Sequence, residues 1–176
     1  MKYLKNYIIP FSGLKEGKHQ FQFEADERFF REFEESEIER GEVNIEVELE
    51  KRTTYLSLDF KLTGGVQLVC DRCLDNYDQP LDNDFKLYVK FSEEPQVDDD
   101  EVMYLHPNDH QVEVGHLIYE FIVLSLPARH VHPDDENGES TCDPDMLDKL
   151  DEYDHPGDGD EPIDPRWNDL KKIIGN

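Results

Sequence analysis

Residues 42–50 read EVNIEVELE, in which apolar and polar side chains alternate without interruption. Strict alternation with a period of two is typical of a β-strand that buries one face and exposes the other. The pattern continues through TTYLSLDFKL at 53–62 and returns in FKLYVKF at 85–91. These segments predict an antiparallel sheet, with a turn at Gly64-Gly65 that leads into a further strand, VQLVC.

Weaker signals on both sides of these strands complete the predicted fold. Two more strands fit 4–9 and 19–24, and Asp26 is suited to cap a helix over 26–36. A second helix fits 115–125, GHLIYEFIVLS, and Pro127 ends it. The predicted fold class is α+β, an antiparallel sheet of about five to seven strands packed by one or two helices.

Charge favours one class of partner. The 176 residues contain 43 Asp and Glu against 18 Lys and Arg, a net charge of −25. Phosphate backbones repel such a chain, so a basic protein is a more favourable partner than RNA or DNA. No segment has the roughly 18 apolar residues of a membrane helix, and the N-terminal MKYLKNYIIP lacks the apolar stretch of a secretory signal. We expect a cytoplasmic protein.

Composition divides the chain into three parts. Residues 1–132 are predicted to form the folded domain, whereas 133–164 are acidic and rich in Pro and Gly, which predicts a largely mobile segment. Residues 165–176, PRWNDLKKIIGN, are predicted to form a short C-terminal helix that Asp164 caps. Trp and Arg are frequent interface anchors, so partner binding is expected from Arg166, Trp167, Leu170 and Lys171. Alternatively, this helix folds back onto its own domain.

The sequence Cys70-Asp71-Arg72-Cys73 is the sharpest local motif, because two thiolates at this spacing can bind one metal ion. A structural zinc site needs four ligands, and the predicted set is Cys70, Cys73, His132 and Cys142, with His130 as an alternative ligand. A rival pair is His106 and His110. The other interpretations are a redox dithiol and three cysteines without metal.

Evidence for catalysis is weak. The chain has no glycine-rich phosphate loop, no G-x-S-x-G and no H-E-x-x-H motif, and with 43 acids no carboxylate stands out as a general acid. Nucleophilic chemistry at Cys142 beside His132 has no local signature in its support. We therefore expect a protein that is not an enzyme.

Four segments together resemble the YceD family. They are CDRCL at 70–74, LSLP at 124–127, Cys142, and DPRWNDLKK at 164–172. The resemblance implies a bacterial cytoplasmic protein needed for normal accumulation of 23S rRNA. It also implies genes that often lie beside one for a zinc-binding large-subunit ribosomal protein. Many members carry a second pair, C-x-x-C-G, after the LP, whereas this chain offers only Cys142 there, so His132 completes our proposed ligand set.

These observations lead to one functional expectation and two alternatives. We expect a non-catalytic factor that supports 23S rRNA accumulation and large-subunit biogenesis by binding a basic ribosomal or rRNA-processing protein, with a structural zinc site. The first alternative is direct rRNA binding through a basic patch at Lys2, Lys5, Arg129, Lys171 and Lys172. The second is a Cys-dependent redox or rRNA-processing enzyme.

Overall fold

The computed structural model describes residues 3–153 except 35, 95, 98 and 100. These residues form two β-sheets. The larger sheet has the order β2-β3-β4-β5-β6. Its strands are Gly17–Ala25, Arg40–Lys51, Tyr55–Val69, Asn76–Phe91 and Val102–Leu105. The smaller sheet pairs β1, Ile8–Pro10, with β7, Gln111–Glu113. The α+β prediction is confirmed, although β6 runs parallel to β5 in an otherwise antiparallel sheet.

One face of the large sheet forms the core. The alternating apolar residues of β3 and β4 are buried there, as their pattern predicts: Val43, Ile45, Val47, Leu49, Leu56, Leu58, Phe60 and Leu62. Helix α2, Gly115–Leu124, packs on this face, with the Phe121 ring 5.1 Å from Phe60 and 4.4 Å from Phe85. The charged residues of the same strands consequently lie on the opposite face, which we call the outer face.

The N-terminal elements are shorter than predicted. A 3-10 helix, Tyr3–Asn6, and β1 replace the strand over 4–9, and α1 is a single turn, Glu27–Phe30, instead of a helix over 26–36. The Asp26 cap is confirmed, because its Oδ1 accepts hydrogen bonds from the backbone N–H groups of Arg28 and Phe29. The predicted length is wrong: from Glu32 onward the backbone N–H groups donate to the carbonyl three residues back, as in turns, and Phe33 stacks on Tyr119 of α2 with ring centroids 3.8 Å apart.

The predicted turn at Gly64-Gly65 is also wrong, because β4 continues through both glycines to Val69. Gly64 pairs with Val43 of β3 and has a φ of +147°. A Cβ there would lie 2.2 Å from the Glu42 carbonyl oxygen, so glycine permits a close approach of two strands. Strand β5 starts at Asn76, nine residues before the alternating segment FKLYVKF from which it was predicted. The long β4–β5 pair therefore carries the Cys70–Cys73 loop beyond the end of the sheet.

A third helix, which the composition of this stretch does not predict, lies in the acidic segment. Helix α3 covers Pro144–Tyr153, and an isolated bridge joins Asp134 to Ser140 upstream of it. The mobility of 133–164 stays a prediction, and 154–164 and the C-terminal helix predicted at 165–176 lie outside the described residues. No helix of the described part is long and apolar enough to cross a membrane.

Candidate metal centre

The Cys70–Cys73 loop joins β4 to β5 and has its own hydrogen bonds. The Cys70 N–H donates to the Asp75 carbonyl oxygen at 2.8 Å, and the Leu74 N–H donates to the Cys70 carbonyl oxygen at 3.0 Å. Closing the loop places Leu74 at a φ of +65°, a left-handed conformation uncommon for leucine. The Leu74 side chain remains exposed. The loop thus holds both cysteine side chains inward on a tightly turned backbone.

The segment that follows α2 is bound to this loop through backbone groups. The Asp71 N–H donates to the His130 carbonyl oxygen at 2.6 Å, and the His130 N–H donates to Asp71 Oδ2 at 2.8 Å. Farther along, Arg72 Nη1 donates to Ser140 Oγ at 3.3 Å. These contacts bring His132, and then Cys142 at the start of α3, to the two loop cysteines.

The four predicted ligands lie together. The sulfur atoms of Cys70, Cys73 and Cys142 and a ring nitrogen of His132 are all within 4.8 Å of one another. Cys70 Sγ is 3.7 Å from Cys142 Sγ, and His132 Nδ1 is 3.4 Å from Cys73 Sγ and 3.7 Å from Cys142 Sγ. A tetrahedral zinc ion with ordinary bond lengths separates two sulfurs by about 3.8 Å and a sulfur from a nitrogen by about 3.6 Å. The side chains therefore fit one tetrahedral metal ion.

The three cysteines are free thiols that solvent does not reach. They are at most 5% exposed, and His132 is half-buried. The 3.7 Å between the Cys70 and Cys142 sulfurs is far longer than the roughly 2.05 Å of a disulfide bond. The cluster thus has the burial and spacing of a ligand set and not those of a formed disulfide.

Backbone N–H groups prepare the site for thiolates. Burial alone raises the pKa of the Cys70 thiol, but N–H groups of Cys73, Arg72 and His132, with the His132 side chain, outweigh burial and lower this pKa to about 6. Burial raises the pKa of Cys73, and the nearby Cys70 and Cys142 side chains add to this rise. Hydrogen bonds from the backbone N–H groups of Asp143 and Asp75 lower the pKa of Cys73 and so oppose this rise. Such N–H groups are the usual partners of metal-bound sulfur, since they stabilise its negative charge.

Sequence reasoning missed two residues of the site. Asp71 connects the loop to residue 130 through a hydrogen bond. It occupies the first x position of C-x-x-C, where the motif specifies no residue type. Tyr77 lies beneath the cluster, its ring centroid 5.3 Å from that of His132, and its buried hydroxyl has no hydrogen-bond partner in the described part of the chain. Burial, and then the charges of Cys70 and Asp71, raise the pKa of Tyr77. The spacing of Tyr77 and Leu81 was the available signal, since residues an even number of positions apart share one face of a strand, and both are buried in β5.

The other predicted site residues are not part of this cluster. Among the described residues, one group has the spacing to hold a metal, and it contains His132 but neither His130, His106 nor His110. His106 instead closes the turn after β6, where its Nδ1 accepts a hydrogen bond from the Asn108 N–H. The predicted partner-binding residues Arg166, Trp167, Leu170 and Lys171 lie outside the described residues.

Comparison with known proteins places the chain in a family. No curated protein and no solved structure matches it. The family model described as "Large ribosomal RNA subunit accumulation protein YceD" matches residues 58–174, a range that begins in β4 and includes all four residues of the cluster. With two thirds of its length matched, and with the cysteine loop inside the match, the chain belongs to the YceD family.

Proposed function

We propose that this protein is a non-catalytic factor of the bacterial cytoplasm that supports accumulation of 23S rRNA, and hence large-subunit biogenesis, by binding a basic protein. The family description supports a role in large-subunit rRNA accumulation. In this proposal a zinc ion bound by Cys70, Cys73, His132 and Cys142 has a structural role, and the partner is a ribosomal or rRNA-processing protein.

The observation that carries the structural, non-catalytic part of the proposal is the closed ligand set. A structural zinc site has four protein ligands, whereas a catalytic site keeps one position for water or substrate. Here four side chains converge within 4.8 Å, and three of them are buried cysteines. A metal in this set has no open position, so its contribution is to hold the β4–β5 loop, residue 132 and the start of α3 together.

The outer face of the sheet supports a basic partner. It is concave, with a trough of about 560 Å³ that crosses β2, β3, β4 and β5. The charged side chains along the trough are four carboxylates and two amines: Glu46, Glu48, Asp59, Asp84, Lys61 and Lys86. Two carboxylates already have local partners, since Lys86 Nζ is 2.8 Å from Asp59 and Lys18 binds Glu48. The excess of carboxylates here matches the net charge of −25 and attracts cationic surfaces.

Direct RNA binding has less support. Of the basic patch that this alternative requires, Lys5 and Arg129 are exposed, and Lys2, Lys171 and Lys172 lie outside the described residues. Repulsion between phosphates and the acidic chain opposes binding at long range.

The test is a pulldown with the tagged full chain from a bacterial lysate, with and without ribonuclease. We expect a basic protein that remains bound after ribonuclease treatment. In a separate measurement, deleting the gene from the bacterium that encodes this protein should lower the amount of 23S rRNA. Recovery of rRNA alone, lost completely after ribonuclease, would contradict the proposal and favour direct RNA binding.

Metal content tests the structural part separately. We expect about one zinc ion per chain in the purified, untagged protein. The double variant Cys70→Ser/Cys73→Ser should lose it, because two of the four ligands are removed. Unchanged metal content in that variant would exclude the proposed site without affecting the partner proposal.

A further inference from the structure

Strand β2 forms one edge of the large sheet. Strand β3 pairs with one side of it, and no strand of the described residues pairs with the other. Its nine residues, GKHQFQFEA, pair with β3 one to one, without a bulge, and contain no proline. Short length, bulges, prolines and lysines commonly protect an edge strand from pairing with another chain. Strand β2 has only Lys18 of these devices, so most of its edge is open to pairing.

The register shows which backbone groups of β2 point to the open side. The Arg52 N–H donates to the Tyr55 carbonyl oxygen at the turn between β3 and β4, which marks a hydrogen-bonded pair. Such pairs alternate along antiparallel strands, so the odd-numbered residues of β3 bond to β2. The even-numbered residues of β2 consequently point their N–H and C=O groups to the open side. The Tyr7 hydroxyl agrees with this pattern, because it donates to the Glu24 carbonyl oxygen at 2.6 Å.

Three residues of the strand have open backbone groups. Among the described residues, no hydrogen bond reaches the outward N–H and C=O groups of Lys18, Gln20 and Gln22. The side chains of these three residues are exposed. Between and beside them, Phe21 and Phe23 point to the core side and are only half-buried there. The edge thus combines a row of open backbone groups with two partly covered aromatic rings.

The sequence of β2 is complementary to itself when read in the antiparallel direction. A register centred on Phe21 places Gln20 of one copy opposite Gln22 of the other. It also places Lys18 opposite Glu24. All four positions are even-numbered, so these pairs form the outward backbone hydrogen bonds. Opposite charges and facing amides are favourable cross-strand pairs on the exposed face of a sheet.

The same register is favourable on the core side. It brings the Phe21 rings of the two copies together and places His19 opposite Phe23. Residues in pairs without backbone hydrogen bonds lie closer, with Cα atoms about 4.5 Å apart, so their rings make contact. Pairing therefore covers aromatic surface that one chain leaves half exposed.

We propose that two copies of this chain pair through β2, antiparallel and centred on Phe21, to form one sheet with five strands from each copy. The occupant of the edge is a second copy, because the strand matches its own reverse in charge, amides and aromatic rings. This proposal goes beyond the proposed function, since it concerns self-association and needs neither the metal nor the basic partner.

The mass of the full chain in solution tests the proposal. We would measure it by light scattering during gel filtration in about 0.3 M salt, which screens the repulsion between two acidic chains. We expect about twice the 20.7 kDa of one chain, with a fall towards 20.7 kDa on dilution. A mass of one chain at all concentrations up to about 0.1 mM would overturn the proposal, because a dimer of micromolar affinity forms there.

Exchanging charges tests the register. Lys18→Glu places two carboxylates opposite each other, and Glu24→Lys places two amines opposite each other. We expect either variant alone to dimerise about 10-fold more weakly or worse, since the change occurs at both ends of the paired strands. A mixture of the two variants restores opposite charges and should form a mixed dimer with close to the original affinity. Lys61→Glu is the matched control for Lys18→Glu, because Lys61 is exposed on β4, two strands from the edge.

A backbone variant tests the edge without changing charge. Gln22→Pro removes an outward N–H group, and an edge strand tolerates proline at such a position, so the chain should fold and remain a monomer. Dimers of this variant as stable as those of the unchanged chain would overturn the proposal. So would a mixture of the two charge variants that remains monomeric, or equal weakening by Lys18→Glu and Lys61→Glu. The charge variants lie at exposed positions and decide the question if Gln22→Pro does not fold.

Discussion

At the scale of single residues, backbone pairing selects the histidine of the site. The sequence LPARHVHP offers two histidines, of which His132 is the predicted ligand and His130 the alternative. In the structure, Asp71 binds both the N–H and the carbonyl of residue 130, and the imidazole of residue 132 then lies beside the sulfurs. The choice depends on contacts between segments 59 residues apart, so sequence alone left it open.

Replacing His132 should therefore weaken metal binding far more than replacing His130. We expect His132→Ala to reduce zinc affinity by at least about 100-fold, since loss of a ligand exceeds the roughly 10–100-fold typical of an outer-shell partner. His130→Ala is the matched control and should change affinity by less than about 10-fold, because its contribution is made by backbone groups. Competition with a chromophoric chelator measures the zinc affinity of both variants. Equal losses of affinity would contradict the assignment of His132 as the ligand.

A second residue-scale prediction concerns Gly64, where φ is +147° and a Cβ would lie 2.2 Å from a carbonyl oxygen. We expect Gly64→Ala to lower the free energy of unfolding by at least about 2 kcal/mol, because alanine at this φ is strained and β3 must move away. Gly13→Ala is the control, since no atom lies within 4 Å of a Cβ there. Urea unfolding measures both variants, and similar stabilities would show that β4 is not continuous at Gly64.

At the scale of elements, the candidate metal centre connects parts that the sheet does not hold. Strands β2, β3, β4 and β5 pair with one another over nine or more residues each. Helix α3 has no buried residue, and only half-buried Met146 and Leu147 contact the core. The segment from residue 130 to α3 thus depends on the ligands and on a few hydrogen bonds to the Cys70–Cys73 loop.

Metal removal should consequently release this segment and leave the sheet intact. After chelation we expect faster hydrogen exchange at residues 130–153 and at the Cys70–Cys73 loop, with protection in β3 and β4 unchanged, because local opening follows the weakest contacts. Exchange measured by mass spectrometry tests this, and adding zinc back should restore protection. Uniform loss of protection from exchange across the sheet would show instead that the metal supports the whole fold.

At the scale of the whole molecule, charge separates the two faces of the sheet. Alternation along β3 places its valine, isoleucine and leucine side chains in the core and Glu42, Glu46 and Glu48 on the outer face. If a basic partner binds this face, its association rate depends on these carboxylates. The rate then falls as the salt concentration rises, because salt screens the attraction.

Reversing charge on the outer face tests this location. We expect Glu42→Lys/Glu46→Lys to weaken binding of the basic protein recovered after ribonuclease by about 10-fold or more, with most of the change in the association rate. Asp151→Lys/Glu152→Lys is the control, because it changes the net charge equally but lies on α3 and not on the outer face of β3. Similar losses in both variants, measured by surface plasmon resonance, would indicate attraction by net charge without a specific surface.

The sequence by itself determined the alternating parts of β2, β3, β4 and β5, the capped start of α1, helix α2 and the cysteine pair of the candidate site, because alternation, helical spacing and thiol chemistry are local properties of the chain. The tertiary structure decided what depends on distant partners. It carried β4 through Gly64 and Gly65, because β3 lies close enough to exclude a side chain there. It also ended α1 early, where Phe33 stacks on Tyr119, and it brought His132 and Cys142 to Cys70 and Cys73 through backbone hydrogen bonds to Asp71. Contacts of this kind form only when the whole chain folds, so no local pattern encodes them.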